Sequence, residues 1–365
     1  MKTKFQLYHT TRKKFEQWFN LSYNNLAVLT WFVVGLVFAC DCRLTRIARH
    51  IPWQTKVPSR TQRLWRWLKN SKIDALFLAK QLATQWLANW AWGTIYLVID
   101  RTDINNRHWL LFISICHRGR TLPLVWQVMP HKGATNFNTQ VALLKEVLSL
   151  IPKRCSVVLL GDREFRSTSL MGFCKRRGWH FRLRLKCDTW IRANRRWFQL
   201  RDLEIRPGQK RFFQTVYITK WRQGPYHLAC YWKTGEDEPW FIATDETASG
   251  RTLFEYRKRF HTEAMFSDKK KRGFQLETTR IKTKERIDRL LLVVVLASLW
   301  MSQLGLRCIR SGQRRFFEKS KRRFYSLLQL GIASFLEQLN GDKVPHYALP
   351  QIGSRVKLLF CSLRQ

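Results

Sequence analysis

The run Ile95-Tyr96-Leu97-Val98-Ile99-Asp100 decides the architecture, because it is continuously apolar, short enough for a strand buried on both faces, and ends in a carboxylate. A second run, Ser156-Val157-Val158-Leu159-Leu160-Gly161-Asp162, repeats that design. Between them lie two more apolar runs, Trp109 to Cys116 and Leu122 to Val128, separated by turn-prone or basic residues at Asn105-Asn106 and Arg118-Gly119-Arg120. Such spacing predicts antiparallel neighbours. Asn138 to Ile151 places Val141, Leu144, Val147, Leu148 and Ile151 at helical intervals. A helix over Ser167 to Arg177 and a strand over His180 to Leu185 complete the pattern. The expected order is three strands, helix, strand, helix, strand: an α/β protein with a mixed sheet and flanking helices. In open sheets of this kind ligands sit beyond the strand ends, so Asp100 and Asp162 are expected to converge.

Downstream, residues 187–249 alternate short Trp- and Tyr-bearing runs with turns such as Pro207-Gly208 and Gly224-Pro225, which reads as a β-rich insertion. The stretch Tyr256 to Lys270 is then expected to be helical and to end by Gly273. At about 100° per residue, Tyr256, Arg259, Glu263 and Lys270 fall within roughly 60° of one another on such a helix. One carboxylate among two cations and a phenol suits a divalent metal flanked by phosphate oxygens. A solvated basic helix with an intrahelical ion pair would present the same residues. Long apolar and amphipathic helices are expected over Ile287 to Leu304 and Phe324 to Leu339. The resulting plan assigns residues 1–90 to a helical N-terminal DNA-binding domain and 91–186 to the first part of a catalytic domain. The insertion (187–249), the second catalytic part (250–345) and a tail (346–365) follow.

Composition narrows the partner. The 365 residues carry 66 Lys and Arg against 25 Asp and Glu, a formal charge of +41 spread along the whole length. A surface of that charge repels itself unless a polyanion is the working partner, and nucleic acid is the commonest. The basic stretch Arg43 to Arg66 lies in the helical N-terminal region, which shows no specific helix-turn-helix signature. The nine cysteines are scattered and lack zinc spacing, which suggests reduced thiols in the cytoplasm. Leu26 to Cys40, about fifteen residues, and Leu290 to Met301, about twelve, fall short of the roughly twenty that span a bilayer. Both are expected to be buried helices, with no membrane partner. Asp100, Asp162 and Glu263, without a His or Cys cluster beside them, favour Mg²⁺ or Mn²⁺. Two such ions roughly 4 Å apart would activate a hydroxyl and stabilise the leaving oxygen of a phosphodiester.

These residues resemble a known family, the DDE transposases of bacterial insertion sequences that carry a Y-R-E-K signature. Tyr256-x2-Arg259-x3-Glu263-x6-Lys270 is similar to that signature at every spacing. Ile99-Asp100-Arg101-Thr102 and Leu160-Gly161-Asp162-Arg163-Glu164-Phe165 look like the two Asp segments. The resemblance covers roughly residues 91 to 340. It implies an RNase H-like fold, with Asp100, Asp162 and Glu263 as catalytic metal ligands for about two ions per site. It further implies phosphate contacts from Tyr256, Arg259 and Lys270, with Arg163 reaching the same backbone or pairing with Glu164. Glu164 is not expected to be a ligand, and His261 is expected to pack or face solvent. The implied activity is cleavage and strand transfer of element ends by a homodimer assembled on DNA. Some relatives stack a flipped base on a Trp of the insertion, and Trp190, Trp197, Trp221, Trp232 and Trp240 are all candidates here. An RNase H-like nuclease that cuts without joining, or a catalytically silent DNA-binding relative, are the alternatives.

Overall fold

The computed structural model describes residues 2–88, 90, 93–104, 107–117, 119–129, 135–267, 273–341 and 344–345, excepting the side chains of 264, 266 and 267. Five helices come first: α1 (Lys2–Trp18), α2 (Tyr23–Ala39), α3 (Leu44–Arg49), α4 (Val57–Lys69) and α5 (Ala75–Leu87). Helix α2 is apolar on every side, and Leu26 through Val37 are buried apart from Ala27. A helix with that composition belongs in a core.

The sheet begins with β1 (Gly93–Ile104), β2 (His108–His117) and β3 (Arg120–Met129), an antiparallel meander. Helix α6 (Phe137–Leu148) leads to β4 (Cys155–Gly161), and α7 (Thr168–Arg176) to β5 (His180–Arg184). Strand β4 lies parallel to β1, and β5 lies parallel to β4. The order β3-β2-β1-β4-β5, with only β2 running against its neighbours, is the expected RNase H-like arrangement. The insertion supplies β6 (Trp190–Ala193), β7 (Arg196–Gln199), β8 (Lys210–Ile218) and β9 (Gln223–Tyr231). It does not form a detached sheet. Strand β10 (Trp240–Thr244) pairs with both β5 and β9, so one ten-stranded sheet runs through both parts.

After β10 the chain forms α8 (Gly250–Tyr256), a 3₁₀ turn (Arg257–Phe260) and α9 (His261–Ser267). The expected uninterrupted helix from Tyr256 is therefore broken one residue after it starts. The tighter winding of the turn shifts the angular register. Tyr256 and Arg259 are drawn inward, buried to 0% and 7% exposure, while the Glu263 side chain stays 63% exposed.

Helix α10 (Lys284–Arg310) is longer than the expected Ile287 to Leu304, and is followed by α11 (Arg314–Phe317) and α12 (Leu327–Asn340). Among the described residues it is the one helix long and apolar enough to cross a bilayer, yet 83% of its most apolar window is buried within the protein. It packs on α2, α4, α5, α12 and β3. The Arg289 guanidinium reaches across to the carbonyls of Ile73 (2.7 Å) and Leu68 (2.9 Å). The Asp288 carboxylate accepts a hydrogen bond from the Val128 amide at 3.2 Å. These bonds tie the N-terminal helices and the sheet to the same strut.

Candidate active site

Asp100 does not end its strand, contrary to the sequence reading. The parallel ladder with β4 stops at Ile99 opposite Gly161, whereas β1 stays paired with β2 to Ile104. Asp100 thus stands where one edge of the central strand comes free. Asp162, one residue past β4, stands at the same point on the neighbouring strand. Gly161, between them, has no room for a side chain: a Cβ there would lie 2.9 Å from Leu183 and from Phe165, and 3.2 Å from Ile99. The turn after it is fixed by Asp162 itself, whose carboxylate accepts the Glu164 amide at 2.9 Å.

Asp100 is buried to 7% exposure and every visible partner is a donor. Its Oδ2 accepts from Thr262 Oγ1 at 2.7 Å and from Arg259 Nη1 at 3.2 Å, and its Oδ1 accepts from the Arg101 amide at 2.9 Å. Burial pushes the Asp100 carboxyl above its ordinary range and nearby Asp162 adds to the rise, while Arg259 and Thr262 oppose it. The other end of Arg259 donates to Glu263 Oε1 at 3.3 Å. One guanidinium therefore sits between the first and third acidic residues of the set.

Lys270 lies outside the described residues. Arg163 does not pair with Glu164; its Nη1 donates to Glu238 Oε1 at 2.7 Å, an acceptor shared with Arg184 at 2.9 Å. Glu164 turns the other way, to Arg101 at 2.8 Å and to the Thr135 amide and hydroxyl at 3.0 and 3.1 Å. Those contacts tie it to β1 and to the residue before the α6 N-cap. His261 is half-buried, and burial beside Lys258 and Arg120 lowers its pKa.

Sequence reasoning missed Thr262, whose hydroxyl only gains meaning once Asp100 is placed above it. It also missed the support behind the site. Glu255, next to Tyr256, is 1% exposed and accepts from Arg182, Arg251 and the Tyr96 hydroxyl. Burial works against its charge, but Arg182 and the other donors outweigh it and hold the carboxyl below its usual range. This fastens α8 to β5 and β1 two residues before the turn. Only an acidic residue in an apolar helix face hinted at it.

Among the described residues, no three His, Cys, Asp or Glu side chains are gathered closely enough to hold a metal ion as they stand. The donor set still fits a hard cation. It offers oxygen ligands alone, and the space between Asp100 and Glu263 already accommodates positive charge. Two buried atoms beside it, the Tyr256 hydroxyl and Arg259 Nε, lack a hydrogen-bond partner of normal geometry among the described residues.

The family model described as "Transposase DDE domain" matches residues 95–300, more than half of the chain and all the described acidic residues above. The protein belongs to the DDE transposase family. No curated protein matches it. Among solved structures it is similar to Marinitoga piezophila Argonaute, determined in complex with 5′ OH guide RNA and target DNA, at 10% identity and a TM-score of 0.24. That likeness covers 69% of this chain and 38% of the Argonaute chain, and is too distant to bear on fold or partner.

Proposed function

We propose that the protein is a transposase that binds the ends of an insertion sequence and catalyses metal-dependent cleavage and strand transfer of DNA. Asp100, Asp162 and Glu263 would hold the Mg²⁺ or Mn²⁺ ions, with Glu263 leaving Arg259 to do so. The ions would supply Lewis-acid stabilisation and a nucleophilic hydroxyl at neutral pH. Arg259, once released from Glu263, is placed to take a phosphate oxygen, helped by the Tyr256 hydroxyl that lies against it and by Lys270. Arg163 would join them by exchanging Glu238 for the DNA backbone. Thr262 keeps the Asp100 carboxylate oriented throughout.

The observation that carries this reading is the placement of Asp100, where β1 leaves its ladder with β4, beside Asp162 just past the end of β4, with Glu263 linked to Asp100 through one guanidinium. End binding is supported by a basic groove of about 660 Å³ in the N-terminal region, lined among others by Arg43, Arg46, Arg49, Trp65 and Arg280. We assign the DNA-bound state as a homodimer, following the family resemblance. In the insertion, Trp240 is buried against Tyr256 and Phe260 and the Trp232 indole is bonded to the Glu236 carbonyl. Trp190 and Trp221 are exposed (38% and 85%) beside Lys220, in a groove that also contains Glu164 and Arg166. They are the better placed to stack a flipped base.

The test is Asp162→Asn assayed on labelled element ends with target DNA. Loss of nicking and joining with end binding retained supports the reading. Wild-type protein that nicks but never joins would make it a nuclease, and protein that binds but never nicks would make it a silent relative.

A further inference from the structure

Beyond residue 300, where the family match ends, the segment between α10 and α12 forms a basic platform that the catalytic site does not use. Residues 307–326 contain eight Lys and Arg against the single carboxylate of Glu318. That carboxylate is spent internally. It is 7% exposed, pairs with Arg314 at 3.4 Å and accepts the backbone amides of Phe324 and Tyr325. Arg314 also donates to the carbonyls of Ser320 (3.2 Å) and Lys321 (3.0 Å). The buried ion pair thus knits the loop from within, and Arg315, Lys319, Lys321, Arg322 and Arg323 are left exposed on its outside. Phe316 and Phe324, 71% and 68% exposed, stand beside them.

The platform is also held at its ends. Helices α10 and α12 cross in backbone contact: a Cβ on Gly305 would lie 2.0 Å from the Leu327 carbonyl oxygen, and one on Gly331 would lie 1.7 Å from that of Met301. Arg307 and Arg310 complement the C-terminal end of α10, which accounts for those two cations. Nothing in the described residues neutralises the five beyond the turn. Holding so many like charges on a fixed loop costs free energy that a polyanion would recover. Arg predominates over Lys in the segment, and its planar fork matches phosphate oxygens.

We propose that residues 315–324 form a second DNA-binding surface, which grips the phosphate backbone of duplex DNA irrespective of sequence. Phe316 and Phe324 supply apolar contact to the sugars alongside. The surface acts independently of the acidic residues, so it can be tested without metal or cleavage.

The experiment uses the full chain in EDTA with an arbitrary 30-bp duplex, the corresponding single strand, and phosphatidylserine vesicles as probes. The variant Lys319→Gln/Lys321→Gln/Arg322→Gln/Arg323→Gln should bind the duplex with a log K against log salt slope shallower by about 2 to 4, at about 0.9 per lost phosphate contact. Its melting temperature should match wild type. In the wild-type protein, bound duplex should protect Lys319 and Lys321 from acetylation severalfold, a readout that needs no variant. An unchanged slope together with equal acetylation with and without duplex would overturn the proposal. So would protection by vesicles or by the single strand but not by duplex.

Discussion

Arg259 joins two carboxylates that lie far apart in the chain, and its contacts give the sharpest predictions at the level of single side chains. Arg259→Gln would leave buried Asp100 with only Thr262 and the Arg101 amide as donors, and would remove a cation from the place where phosphate charge is expected. Single-turnover nicking should fall about 10²- to 10³-fold while end binding changes far less. Arg259→Lys should not restore it, because an ammonium is a point charge and cannot hold Asp100 and take a phosphate oxygen with the planar fork of a guanidinium. Both Asp residues and the Arg259–Glu263 spacing were legible in the sequence, since i and i+4 remain neighbours here. The inward turn of Tyr256, away from the exposed side of Glu263, was not legible: the 3₁₀ turn over Arg257–Phe260 goes with tertiary contacts, Arg259 on Asp100 and Tyr256 and Phe260 on Trp240.

The elements that aim these side chains depend on two buried acids of opposite behaviour. Glu255→Gln would leave the buried Arg182 guanidinium with Glu246 and the more distant Asp245 as its carboxylate partners, and should cost about 1 to 3 kcal/mol, read as a lower melting temperature. Because Glu255 is held below its ordinary range, its contribution is present at neutral pH. It is lost only as the pH falls below the range where a free Glu titrates, roughly pH 4. Asp288 on α10 has the reverse sign. Burial pushes it up to about 7, so the folded state keeps a proton that the unfolded state has released. The stability linked to that proton is complete below about pH 4 and is lost as the pH rises through about 7. Asp288→Asn should therefore be nearly neutral at about pH 4 and raise the melting temperature progressively more up to about pH 8. Apolar periodicity located α10, β1 and β4 well, but no periodic signal marks a buried Arg–Glu pair whose partners are 73 residues apart.

For the molecule as a whole, the succession of strands and helices along residues 93–184 followed from where apolar runs alternate with helical spacing, and the charge of +41 pointed to a polyanion. What the chain could not announce was how closely its parts are joined. The N-terminal helices share a core with α10, and the insertion extends the catalytic sheet through β10 instead of standing apart. Both joints rest on contacts between distant segments, such as Arg289 with the Leu68 and Ile73 carbonyls. A charge spread over one connected body predicts that binding to element ends weakens steeply with salt, by at least about 10³-fold from 50 to 200 mM for six or more phosphate contacts. Anisotropy titrations across that range would check it.

The central claim is that Asp100, Asp162 and Glu263 share a metal centre once DNA is bound. Anomalous diffraction from crystals grown with an element end and Mn²⁺ tests it directly. The predicted result is a manganese peak between Asp100 and Asp162, with a Glu263 oxygen about 2.1 to 2.3 Å from it and Arg259 turned to a phosphate. A DNA-bound structure with no peak there, and Arg259 still joining Asp100 to Glu263, would contradict it.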